Sequence, residues 1–88
     1  MKLYLVHVGF YDNEIGIYEL HSNILVAAEN LQAAKQTIKK KKIFIEKRMH
    51  IDGIQEINNV DGYDILLKLN DQTPENKKFG YDEVKALG

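Results

Sequence analysis

Cysteine is absent from this chain, which removes disulfide staples and thiolate metal clusters from consideration. Hydroxyl nucleophiles are scarce, with serine only at Ser22 and threonine only at Thr37 and Thr73. The sequence holds no G-x-S-x-G elbow and no phosphate-cradling G-x-x-x-x-G-K or G-x-G-x-x-G run. Covalent acyl transfer and P-loop nucleotide binding are therefore disfavoured. No apolar run approaches the roughly 20 residues needed to span a bilayer, and the N-terminus reads as a strand. The expectation is a cytoplasmic protein with no membrane partner. Proline occurs once, at Pro74, inside a polar stretch that separates residues 1–69, read as one domain, from a C-terminal extension over 70–88.

What is present is hydrophobic: 44% of 88 residues. A chain this short buries only about 60 to 65% of its unfolded surface when it folds alone. Without covalent staples, burial against another copy is the remaining source of stability. Charge is uneven although the net value is -1. Lys35, Lys39, Lys40, Lys41, Lys42, Lys47 and Arg48 face a single acid, Glu46, within one short segment. The run Lys39 to Lys42 is a candidate nucleic-acid patch. No aromatic residues interleave with it to act as stacking platforms, and cations at a helix C-terminus already complement the macrodipole. Nucleic acid is thus a disfavoured partner.

Leu3 to Phe10 alternates with period two, setting Tyr4, Val6, Val8 and Phe10 on one face and Leu3, Leu5, His7 and Gly9 on the other. Both sets are largely apolar, as in an inner strand. Tyr11 to Gly16 is rich in turn formers, and Tyr18 to Ala28 supplies a second strand, so a hairpin joins the two. Matching the faces requires partners of equal parity, because a slip of one residue sends a whole set to the wrong side. Phe10 with Tyr18, Val8 with Leu20 and His7 with His21 satisfies this. Tyr4, Tyr18 and Tyr63 then sit at the core rim.

Asn30 suits an N-cap, followed by the stripe Leu31, Ala34 and Ile38. A continued helix would bring Lys42 onto that stripe, so the helix is expected to end or distort near Lys41. Ile43-Phe44-Ile45 fits a helical extension, a short strand or a plug for the core. His50 to Ile57 and Tyr63 to Leu69 read as a second hairpin around Asp61-Gly62, with a bulge near Gly53 reconciling the phases of Ile51 and Ile54. Thr73-Pro74-Glu75 is a place for a helical turn to open. The expected fold is α+β, β-β-α-β-β, with an antiparallel or mixed four-stranded sheet, one main helix on one face and a possible short C-terminal helix.

One helix covers one side of such a sheet. Leu3, Leu5, Leu25 and Ala27 on the other side are expected to be covered by a second copy, another protein partner or the C-terminal tail, with an interface in a homodimer favoured. On the same side, Glu19-x-His21 and His50-x-Asp52 each place two side chains on one side of a strand. If joined, with or without His7, these groups suit a divalent metal, a small ligand of unknown identity, or a base with its orienting acid. No cofactor is required by anything in the sequence, and an enzyme is not favoured.

The order Leu3-Tyr4-Leu5-Val6-His7-Val8-Gly9, Glu19-Leu20-His21, a helix, His50-Ile51-Asp52 and Val60-Asp61-Gly62-Tyr63 resembles a family of small bacterial proteins of unknown function across residues 2–69. The loop Asn13 to Gly16 and the run Lys39 to Lys42 depart from that pattern. The resemblance implies no established activity. It directs attention to Glu19, His21, His50, Asp52, Asp61 and Tyr63.

Overall fold

Strand β1 (Lys2–Tyr11) lies in the middle of a three-stranded antiparallel sheet, between β2 (Glu19–Ala28) and β3 (His50–Ile57). The computed structural model describes residues 1–88. The chain continues from β2 into α1 (Leu31–Lys39) and α2 (Lys42–Glu46), and after β3 into a small hairpin of β4 (Asn59–Val60) and β5 (Tyr63–Asp64). A last short helix, α3, spans Tyr81–Lys85. The architecture is α+β, as expected. No helix is long and apolar enough to cross a membrane.

The alternation in β1 sorts its side chains as the hydrophobic pattern requires. Tyr4, Val6 and Val8 join Val26 and Ala28 of β2, Ala34 and Ile38 of α1, and Met49 in one buried cluster. Helix α1 is started by Asn30, whose side-chain oxygen accepts from the Ala33 amide at 2.8 Å. It stops at Lys39, and Lys41 turns extended, so Lys42 opens a new helix instead of following the stripe into the core. Ile43-Phe44-Ile45 is helical but belongs to this separate short helix and does not extend α1, and of the three only Phe44 packs against the core. The periodic reading overlooked Met49, which lies in a connection and not on a repeating face.

The β1/β2 register keeps the expected parity but is displaced by two residues: Phe10 opposes Leu20, Val8 opposes Ser22 and His7 opposes Asn23. Asp12 explains the displacement. Its carbonyl accepts from Ile15 and Gly16, both at 3.1 Å, and its carboxylate accepts from the Glu14 amide at 3.0 Å, winding the loop tightly before β2 begins. Tyr18 is thereby left in the loop, 74% exposed, and Tyr63 is also exposed; of the three rim tyrosines only Tyr4 is buried.

The main sheet has three strands, not four. Asp61 and Gly62 take positive φ values of 54° and 85° and close β4 on β5 directly. Such two-residue turns favour Asp-Gly because both positions need the left-handed region. The turn folds Tyr63 back on Val60, so β3 does not pair with Tyr63 to Leu69. Beyond Asp64 the chain has no regular structure until α3, and the helical turn forms there instead of at Thr73-Pro74-Glu75. Phe79, Tyr81, Val84 and Leu87 all remain exposed.

Two carboxylates tie the edges together and are held below their ordinary values. Glu56 is held down first by the neighbouring Asn58 side chain and then by Lys2, whose Nζ lies 3.3 Å away, and it accepts from the Tyr4 hydroxyl at 3.3 Å. Asp12 is held down first by the Glu14 amide and then by Lys47. Both lowered groups contribute stability that is whole above their ordinary values of 3.8 and 4.5 and is lost as pH falls through the depressed folded values. The urea midpoint should therefore drop between about pH 6 and about pH 3, and drop less in the Asp12→Asn, Glu56→Gln double variant. An equal drop in both proteins would contradict this. Ile38→Ala, which empties a fully buried site, should cost about 2 to 5 kcal/mol in urea unfolding. Ile43→Ala, at a half-exposed site, should cost under about 1 kcal/mol.

Candidate functional site

The sheet face opposite α1 is a ladder of rows, each crossing from β2 through β1 to β3. Ala27, Leu3 and Ile57 form one row and Leu25, Leu5 and Gln55 the next. Asn23, His7 and Gly53 follow, then His21, Gly9 and His50, and finally Glu19 beside Tyr11. Rows repeat about every 7 Å along a strand. The face thus passes from an apolar half to a polar half.

Gly9 and a bulge build the polar half. Between His7 and Val8 the β1/β3 register shifts, so that His7 opposes Gly53 while Val8 opposes Ile51. Asp52 is the extra residue. It is turned to the same face as His50, while Ile51 and Ile54 both keep to the core side. A bulge near Gly53 was legible in the change of phase. Gly9, buried under the cluster, was not recognised as part of it. A Cβ built there would lie 2.5 Å from His50 Nε2 and 2.7 Å from Glu19 Oε1. Glycine inside a strand marks such close approaches, and its place in an otherwise apolar run was the available signal.

Above Gly9 the two expected pairs converge. His50 Nε2 lies 2.7 Å from Glu19 Oε1 and 3.2 Å from Asp52 Oδ1. His21 stands between the carboxylates, with Nδ1 3.1 Å from Asp52 Oδ2 and Nε2 3.6 Å from Glu19 Oε2. His7 joins at one remove: its ring stacks on His21 at 5.0 Å between centroids, 4° from parallel, and its Nδ1 is 2.9 Å from Asn23 Oδ1. The stack holds the plane of His21. Side chains of Glu19, His21, His50 and Asp52 are 32 to 47% exposed, so the cluster opens to water.

Two overlapping sets of three groups have ligand atoms within 4.8 Å of one another: Glu19, His50 and Asp52, and His7, His21 and Asp52. Bonds of about 2.0 to 2.2 Å to a tetrahedral ion place neighbouring ligand atoms about 3.3 to 3.6 Å apart. In the first set, His50 Nε2 stands 2.7 Å from Glu19 and 3.2 Å from Asp52, and all three ligand atoms lie within 4.8 Å. Asp61 and Tyr63 are not part of the cluster; they build the β4/β5 hairpin. A cleft of about 610 Å³ lies elsewhere, between the Asp12 loop and the end of α2, and it is lined by Asp12, Glu46, Lys47 and Arg48 among others. The lysine run straddles the break between α1 and α2, with Lys39 and Lys40 exposed, Lys41 half-buried and Lys42 paired with Glu46 at 3.6 Å.

These features define a small α+β domain: an antiparallel sheet backed by helix on one side and open on the other. Residues 16–67 match the model of the family described as Domain of Unknown Function (DUF1543), and the chain belongs to that family. The matched stretch includes Glu19, His21, His50 and Asp52, while β1, with His7 and Gly9, lies before it. Comparison with curated proteins and with solved structures finds no match for this chain.

Gly9→Ala should leave unfolding free energy within about 1 kcal/mol, since only side-chain ends stand in the way of the methyl group. It should nevertheless push His50 and Glu19 apart. NMR of the imidazole rings checks this: His50 resonances should move, and unchanged His50 resonances would contradict the crossing over Gly9.

Proposed function

We propose that this domain is a non-enzymatic, cytoplasmic self-association module that docks a second copy of itself on the apolar half of its open sheet face. The observation that carries the reading is the row pair Ala27, Leu3, Ile57 and Leu25, Leu5, Gln55, which contains no charged residue and lacks a covering element. Leu25 is 60% exposed. A patch without charge has nothing to repel its own image, and twofold symmetry lays one such patch on another. That self-complementarity favours a second copy over an unrelated partner.

The surface balance supports the same reading. The chain exposes 7789 Å², against about 5,300 Å² for a compact monomer of its mass. A standard stable interface removes about 1,200 to 2,000 Å² in total. The radius of gyration, 15.8 Å, likewise exceeds the value of about 12 Å for a compact chain of this length. Part of the excess belongs to residues after Asp64, where Leu66 and Leu69 are each 91% exposed. The fourth strand expected from Tyr63 to Leu69 belongs to this proposal: Ile65 to Leu69 is available to pair with an open sheet edge in the assembled protein.

Light scattering after size exclusion should give about twice the 10.2 kDa chain mass for the parent protein. Leu25→Lys should lower that mass toward one chain, with an unchanged far-ultraviolet circular dichroism spectrum, because the substituted side chain is exposed in the monomer. Leu5→Lys should act in the same direction. A parent protein that runs as one chain at micromolar concentration would overturn the proposal.

A further inference from the structure

The polar half of the same face has the chemistry of a metal site, and this holds whether or not the apolar half docks a second copy. From its geometry we infer that Glu19, His50 and Asp52 bind one divalent cation of the zinc class, with His21 as the positioning residue behind Asp52. Three observations carry the inference. Ligand atoms from two strands that are separated by β1 meet within 4.8 Å. They meet over the one position, Gly9, where any side chain would occupy the meeting point. Asp52 shares a face with His50 by strand alternation, and its two oxygens divide between the rings, Oδ1 toward His50 and Oδ2 toward His21.

The donor set selects the ion. Imidazole with carboxylates suits zinc and its neighbours among the transition metals, whereas magnesium and calcium prefer sites made of oxygen alone. Two carboxylates crowded together concentrate negative charge that a dication neutralises, and neutral imidazole adds a strong nitrogen donor. His50 offers Nε2, the atom already 2.7 Å from Glu19 and 3.2 Å from Asp52. Three protein ligands on a half-exposed face leave the fourth tetrahedral position to water. His21 Nδ1 lies 3.1 Å from the second oxygen of Asp52, on the side of the carboxylate away from His50, and the parallel His7 ring, whose Nδ1 is 2.9 Å from Asn23 Oδ1, stacks on that of His21. Such outer partners usually tune metal affinity by about 10-fold to 100-fold.

Isothermal titration of the untagged full chain with zinc chloride tests this, with calcium and magnesium chloride as comparison ions. One zinc ion per chain should bind, with no heat from calcium or magnesium at the same concentration. Thermal melts should rise with zinc, because a ligand of the folded state alone raises its stability. His50→Gln and Asp52→Asn should each weaken zinc binding by at least about 100-fold, and His21→Gln by about 10-fold. Gly9→Ala, with an unchanged far-ultraviolet spectrum, should weaken binding as much as a ligand variant, which separates loss of the site from loss of the fold. In NMR, zinc should shift the ring resonances of His50 with metal at Nε2. No zinc heat and no melting shift, or affinity unchanged in both His50→Gln and Asp52→Asn, would overturn the inference.

Discussion

The whole molecule depends on one constraint: β1 is apolar on both faces, and the chain supplies helix for only one of them. Val6, Val8 and Tyr4 are sealed by α1 and its flanks, and Ala34 and Ile38 reach full burial there. Leu3 and Leu5, on the same strand and pointing the other way, lie between Ala27, Leu25 and Ile57 without a second layer. At roughly 25 cal/mol per Å² of apolar surface, an uncovered strip of this kind is a standing drive toward association. Because a small α+β domain has little stability in reserve, that drive matters more here than it would in a large protein.

The open face is also where the chain deviates most from regular sheet. Gly9 removes a side chain from the central strand, Gly53 removes one from the edge, and the bulge adds Asp52. Together these create the only place on the face where groups from β2 and β3 can touch across β1. A regular strand at β3 would turn Ile54 out of the core if Ile51 stayed in it, and the extra residue lets both face inward while Asp52 stays beside His50. The two halves of the face are therefore products of the same strands, one governed by apolar burial and the other by backbone irregularity.

Much of this was legible in the sequence because it follows from period two and period 3.6. The inner strand, the parity of its hairpin, the N-cap at Asn30, the break before Lys42 and the bulge near Gly53 all rest on short-range rules. What those rules missed depends on specific three-dimensional partners. Asp12 coils the hairpin loop on itself so that it takes up two more residues than the expected register allowed, which leaves Tyr18 outside the sheet. Asp61 and Gly62 close a local hairpin so sharply that Tyr63 cannot reach β3. In the candidate site, the spacing of Glu19, His21, His50 and Asp52 singled out four side chains that the structure brings together. Gly9 was missed because a residue with no side chain leaves no mark in a periodicity argument.

Membership in a family of unknown function places no activity on this chain, so its role has to be argued from the open face. The most direct measurement is the accessibility of leucine methyl groups to a water-soluble paramagnetic agent, read by NMR in dilute and in concentrated protein. The account predicts that Leu5 and Leu25 are attacked by the agent when the chain is dilute and shielded when it is concentrated, with Ile38 shielded in both. Methyls of Leu5 and Leu25 that stay equally accessible at every concentration would contradict it.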